Sequence, residues 1–127
     1  MSTHCTIGIK LGDSVASSYC HFDGYPQGVG SMLLMYVRTF EQARKMATFG
    51  SMDHVKVMDV RTCAPVAMDE WDQWGAWSCY VRDYIESARY NGAAYVYLFK
   101  NNRWYYAHRT DTEFKVLTHK LICSNTV

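Results

Sequence analysis

The chain has 127 residues, 49% of them hydrophobic and 20% charged, with a formal net charge of +1. That is enough for one domain with a real core and too apolar for a disordered chain. The near-neutral charge argues against both an acidic nucleic-acid mimic and the basic footprint of a DNA-binding domain.

Thr3 to Leu11 alternates apolar and polar residues and predicts a strand. Gly12-Asp13 marks a turn, and Ser14 to Asp23 predicts the partner strand of a hairpin. In that strand Tyr19, His21 and Asp23 share one face. Asp23-Gly24 is a turn dipeptide, Pro26 biases Tyr25 away from helix, and Gly28 and Gly30 permit a tight bend. A helix follows over 29–37, with Val29, Leu33, Tyr36 and Val37 on its apolar stripe. Thr39 and Gln42 form a capping box for a second helix at 40–48, which buries Phe40, Ala43, Met46 and Ala47 and ends at Gly50.

The middle is the least patterned part. His54 to Val60 alternates as a strand would, or else the segment lies as an ordered loop over the sheet. Asp69 to Trp77 is acidic and holds three tryptophans at spacing three, which suits core packing better than an exposed anchor patch. Ser78 to Tyr90 predicts a helix with Val81, Tyr84, Ile85 and Ala88 inward, stopped at Asn91-Gly92. Ala94–Phe99 and Arg103–Arg109 predict a hairpin whose Asn101-Asn102 turn requires positive φ at both centres. That register pairs Phe99 with Trp104, Tyr97 with Tyr106 and Tyr95 with His108, giving one aromatic face. The run from Phe114 to Ile122 reads as a further strand. The expected fold is therefore one α+β domain: an antiparallel sheet of two hairpins plus an extra strand, with about three helices mainly on one face and the 78–90 helix central.

The run His21-Phe22-Asp23-Gly24-Tyr25-Pro26, followed by Gly28-Val29-Gly30 and a Leu-Leu helix, resembles a family of small uncharacterised proteins encoded by bacteriophages and prophages. A second block, Tyr97-Leu98-Phe99, Asn101-Asn102 and Arg103-Trp104-Tyr105, resembles that family's C-terminal hairpin. Together the blocks cover about a third of the chain, and residues 51–77 depart from the family pattern. The resemblance implies a phage accessory product acting in the host cytoplasm, and it implies no established activity.

Five cysteines at wide spacings include no CxxC pair, so a zinc ribbon is not expected. The chain shows no apolar leader and no 18-residue apolar run, which predicts a soluble cytosolic protein with reduced thiols. No cofactor or metal is expected. His21, Asp23, Tyr25, Gly28 and Gly30 form a candidate ligand site at a helix start. Tyr25, Trp104, Tyr106 and His108 form a candidate partner surface. Binding to a host protein ranks first, a small-ligand or nucleotide binder second, and a hydrolase built on His21 and Asp23 third. Turn and capping chemistry accounts for those two residues without catalysis. Nucleic acid is disfavoured because few cations accompany the aromatic face; a homodimer is compatible with its abundant rings.

Overall fold

The computed structural model describes residues 3–68 and 75–124. Two strands, β1 (Cys5–Leu11) and β2 (Ser14–Cys20), form the N-terminal hairpin. A single π-type turn, Pro26–Gly30, leads into α1 (Ser31–Tyr36), then α2 (Phe40–Ala47). β3 (Ser51–Val57) and β4 (Cys63–Ala67) make a second hairpin. β5 (Trp77–Tyr80) precedes a 3-10 turn and α3 (Tyr84–Tyr90). β6 (Tyr95–Lys100) and β7 (Arg103–His108) form the third hairpin, followed by β8 (Lys115–Val116) and α4 (His119–Ser124).

The sheet is mixed, which corrects the expectation of a purely antiparallel one. Its order is β4-β3-β2-β1-β6-β7-β8, with β5 also paired to β2. The hairpins are antiparallel as their turns require, but they join through parallel contacts. β1 runs parallel to β6 from Cys5↔Tyr95 to Ile9↔Phe99, and β2 runs parallel to β3 at Tyr19↔Ser51 and Cys20↔Met52. Between β2 and β3 lie α1 and α2, so residues 14–57 form a β-α-α-β crossover. One end of the strand order is β4, which carries Pro65; the other is the two-residue β8.

The expected β6–β7 register is present, Phe99↔Trp104, Tyr97↔Tyr106 and Tyr95↔His108. Asn101 and Asn102 adopt φ of 53° and 59°, as a mirror-image hairpin turn demands. The capping box of α2 is also in place: Gln42 N–H donates to Thr39 Oγ1 at 3.2 Å, and Thr39 N–H donates to Gln42 Oε1 at 3.1 Å. Ala43, Met46 and Ala47 are buried, whereas Phe40 is 48% exposed, contrary to expectation.

Both faces of the sheet are covered. One core joins Ile7, Ile9, Met52, Tyr97, Phe99 and Trp104 to residues of α1, α2 and α4. The other joins Val15, Val96 and Leu98 to Tyr84 and Ala88 of α3. So α3, expected to be the central helix of a single layer, is the one described helix packed on the opposite side. It is also shorter than the expected 78–90 helix. Its predicted first turn is extended, because Trp77 to Tyr80 pairs with the free flank of β2 from Ser17 to Ser14. The expected strand over 114–122 becomes β8 and α4, where Thr118 Oγ1 accepts the Leu121 N–H at 3.1 Å and acts as a helix cap. In the middle, strand β3 starts before His54, and β4 completes a hairpin that the sequence does not announce. The acidic aromatic run at 69–74 lies outside the described residues.

Tyr84 anchors α3. Its hydroxyl donates to the Tyr97 carbonyl at 2.9 Å and lies 3.0 Å from Thr6 Oγ1. Gly8 makes room for it, since a Cβ there would meet Tyr84 Oη at 2.5 Å and Val15 Cγ1 at 2.8 Å. Replacing Gly8 by Ala should therefore overpack this core and destabilise the protein by about 1–3 kcal/mol, read as a lower urea midpoint at unchanged slope.

Candidate functional site

β2 ends at Cys20, but the chain continues along β3 for two residues: His21 N–H donates to Met52 O at 2.9 Å and Phe22 N–H to Asp53 O at 3.0 Å. The Phe22–Asp23 peptide is cis. The chain then turns at Gly24, whose N–H donates to Thr3 O at 2.7 Å. Gly24 is packed so closely that a Cβ would lie 2.7 Å from Cys5 Cβ and 2.8 Å from Thr3 O. Its carbonyl accepts the Tyr97 hydroxyl at 2.7 Å. Gly28 is equally confined, as its Cβ would stand 2.4 Å from Asp23 O. That carbonyl takes the Val29 N–H at 2.8 Å, and Gly28 N–H donates to Tyr25 O at 2.9 Å. Gly24 and Gly28 thus permit close backbone approach.

This geometry bears directly on the candidate anion site. The amides of Gly28 and Val29 already donate to chain carbonyls, and α1 itself has six residues. Gly30 lies against the Tyr97 ring and hydroxyl, where a Cβ would approach to 3.1 Å. Neither Gly28 nor Gly30 offers a free cradle.

His21 and Asp23 are not brought together as a dyad. The His21 ring stacks on His4, with centroids 4.6 Å apart and planes at 25°, and its Nδ1 lies 3.2 Å from the Tyr19 hydroxyl. His4 Nδ1 bonds to the His21 carbonyl. Phe22 stacks on His54 at 5.6 Å, and His54 Nδ1 is 2.7 Å from Asp53 Oδ2. Asp23 is exposed and takes part in the fold through its backbone carbonyl. Sequence reading missed His4, yet the signal was present: extending the Cys5↔Cys20 pair of the hairpin by one residue places His4 opposite His21.

The candidate partner residues divide. Tyr25 is 38% exposed, whereas Trp104 is 3% and Tyr106 9% exposed. Trp104 donates its indole N–H to Val37 O at 2.8 Å and meets Phe99 edge-on at 5.2 Å. Tyr97, Phe99, Trp104 and Tyr106 therefore belong to the core, which takes Trp104 and Tyr106 out of direct contact with a partner. His108, half-buried, keeps its Nδ1 2.8 Å from Thr110 Oγ1. It lines an open groove of about 500 Å³ with Pro26, Gln27, Tyr95, Tyr106 and Lys115, among others.

Burial also limits chemistry. It pushes the thiols of Cys5 and Cys79 up, and that of Cys63 up to about 11. These three are protonated at neutral pH and poor nucleophiles. Among the described residues, no group of three His, Cys, Asp or Glu side chains is placed to hold a metal ion. Among the same residues, no helix is long and apolar enough to cross a membrane. Comparison with protein families, curated proteins and solved structures gives no match.

Two outcomes follow from the site. Asp23→Ala should change stability by less than about 0.5 kcal/mol, while His21→Ala should cost about 1 kcal/mol through its lost stack and hydrogen bond; chemical denaturation separates them. Burial, helped by neighbouring Cys20 and Cys5, pushes the Tyr19 phenol up to about 12. Its folded value exceeds the unfolded value near 10, so the native state holds this proton longer and stability falls as pH rises from about 10 to 12. Tyr84 and Tyr97, also pushed up by burial, act in the same direction. The urea midpoint at pH 11 should lie below that at pH 8, and Tyr19→Phe should reduce the difference.

Proposed function

We propose that this protein is a small non-enzymatic binding protein, a phage accessory factor that engages a host protein in the host cytoplasm. Its contact surface is the groove lined by Pro26, Gln27 and His108 at the far end of β7, together with the exposed ring of Tyr25, which precedes Pro26 in the chain. One observation carries this reading: the Tyr97 hydroxyl holds the Gly24 carbonyl at 2.7 Å, so bend and β-ribbon form one preorganised wall. A partner docking there meets groups already fixed in place, which lowers the entropic cost of association. Tyrosine is a favourable anchor at such sites because a large amphipathic ring is presented with few rotatable bonds. Trp104 and Tyr106 support the ribbon from beneath.

The phage origin rests on the resemblance of residues 21–26 and of the 97–105 hairpin. Binding is preferred to hydrolysis because the His21 ring is engaged by His4 and Tyr19 instead of Asp23. It is preferred to nucleotide binding because the Gly28 and Val29 amides are already spent on carbonyls.

Affinity capture from host lysate should recover one stoichiometric protein. Tyr25→Ala with His108→Ala should weaken that complex about tenfold or more, equivalent to about 1.4 kcal/mol. Tyr90→Ala, which removes a ring that is 92% exposed on α3, should leave it unchanged. Equal capture by the Tyr25/His108 variant would refute the assignment of the surface.

A further inference from the structure

At the opposite end of β7 lies a second concavity, of about 480 Å³, between the end of α1 and the β8–α4 connection. Its apolar lining comes from Leu34, Val116, Leu117 and the edges of Phe99 and Trp104. Arg38 and Arg103 also line it, with Asn102 and Thr118. Both arginines are exposed, and among the described residues neither has a carboxylate partner; the ion pairs found are His54–Asp53 and Arg82–Asp83. No Asp or Glu of the described residues lines the cleft. An adjoining groove of about 220 Å³ shares Phe99 and Asn102 with it and adds Lys10 and Lys100, again with no described acid. In a chain of 13 Lys+Arg against 12 Asp+Glu, four cations line these two adjoining grooves, and Lys10 also borders Asp13 in a third.

The frame that carries the two guanidinium groups is fixed. Val37 O accepts the Trp104 indole N–H at 2.8 Å, and Arg38 N–H donates to Gln42 Oε1 at 2.8 Å. Across the cleft, Leu117 N–H donates to Trp104 O at 2.9 Å. Arg103 follows directly on the Asn101-Asn102 turn, whose two left-handed residues set its direction. Cation, apolar floor and cation are thus presented by backbone held from several sides.

We propose that this cleft receives an acidic segment of a partner polypeptide, with its carboxylates on Arg38 and Arg103 and an apolar side chain on the Leu34–Val116 floor. This rests on the reading of the chain as a protein binder and adds a second surface with a defined partner chemistry. Charge complementarity selects the occupant: paired guanidinium groups are suited to carboxylates, and an apolar floor is wasted on a small free anion. A single nucleic-acid strand fits less well, because stacking needs an open ring face. Phe99 and Trp104 are each 3% exposed and cover one another edge-on.

The test uses the full chain and a fluorescein-labelled glutamate-rich peptide bearing a single leucine. Anisotropy should report binding that weakens with added salt, and the Trp104 indole N–H resonance should shift on titration. Arg38→Ala/Arg103→Ala should bind at least tenfold more weakly, as should wild type with the glutamine counterpart of the peptide. Arg61→Ala/Arg82→Ala removes the same charge elsewhere and should bind as wild type does. A folded Trp104 resonance in the free Arg38/Arg103 variant confirms that its scaffold is intact. The proposal is overturned if that variant binds like wild type, if the control pair loses as much, or if oligo-dT outcompetes the peptide. The assay uses purified components and the other end of β7, so a failed lysate capture at Tyr25 and His108 leaves its outcome independent.

Discussion

Tyr97 couples the layers of this molecule. Its ring is fully buried in the centre of the sheet, its hydroxyl holds the Gly24 carbonyl at 2.7 Å, and its own carbonyl takes the Tyr84 hydroxyl at 2.9 Å. Through that residue the bend on one face, the central strands and α3 on the other face share one chain of polar contacts. Each phenol is deeply desolvated, so losing either bond would strand a polar group where water does not reach. The fixed position of the bend beside the ribbon, on which the proposed contact surface depends, is a consequence of this bridge.

The local code was legible wherever a turn or a cap dictates geometry. Asn101-Asn102 sets the register of β6 on β7, Gly12-Asp13 closes β1 on β2, and Thr39 with Gln42 starts α2. Parallel pairing has no such local signature. β1 and β6 are separated by more than 80 residues, and each is buried on both faces, so the apolar pattern does not say which neighbour it takes. Ser78 to Tyr80 reads as the first turn of a helix by spacing, but a flank of β2 is open to pairing there, and tertiary pairing outweighs the weak helical preference. At the C-terminus the pattern of Leu117, Leu121 and Ile122 was readable as helix once Thr118 is taken as its cap.

The candidate site was legible in part. The motif at 21–30 does form a rigid strand-turn-helix junction, and that junction does lie beside the aromatic hairpin. Its chemistry was not legible, because the partner of His21 comes from His4 across the hairpin and not from Asp23 two residues on. The aromatic face had an alternation that fits exposure or burial equally well. Three helices on that side decide for burial, so on the aromatic face it is the ends of the ribbon, around His108 and around Arg103, that meet solvent.

The two ends of the strand order carry a further consequence. Pro65 deprives β4 of an amide donor, and β8 offers only a two-residue ledge. A second copy approaching either margin would find a poor template for adding its own strand. Self-association by sheet extension is therefore disfavoured at these two margins, which leaves β5, whose one described strand partner is β2, as the margin open to it.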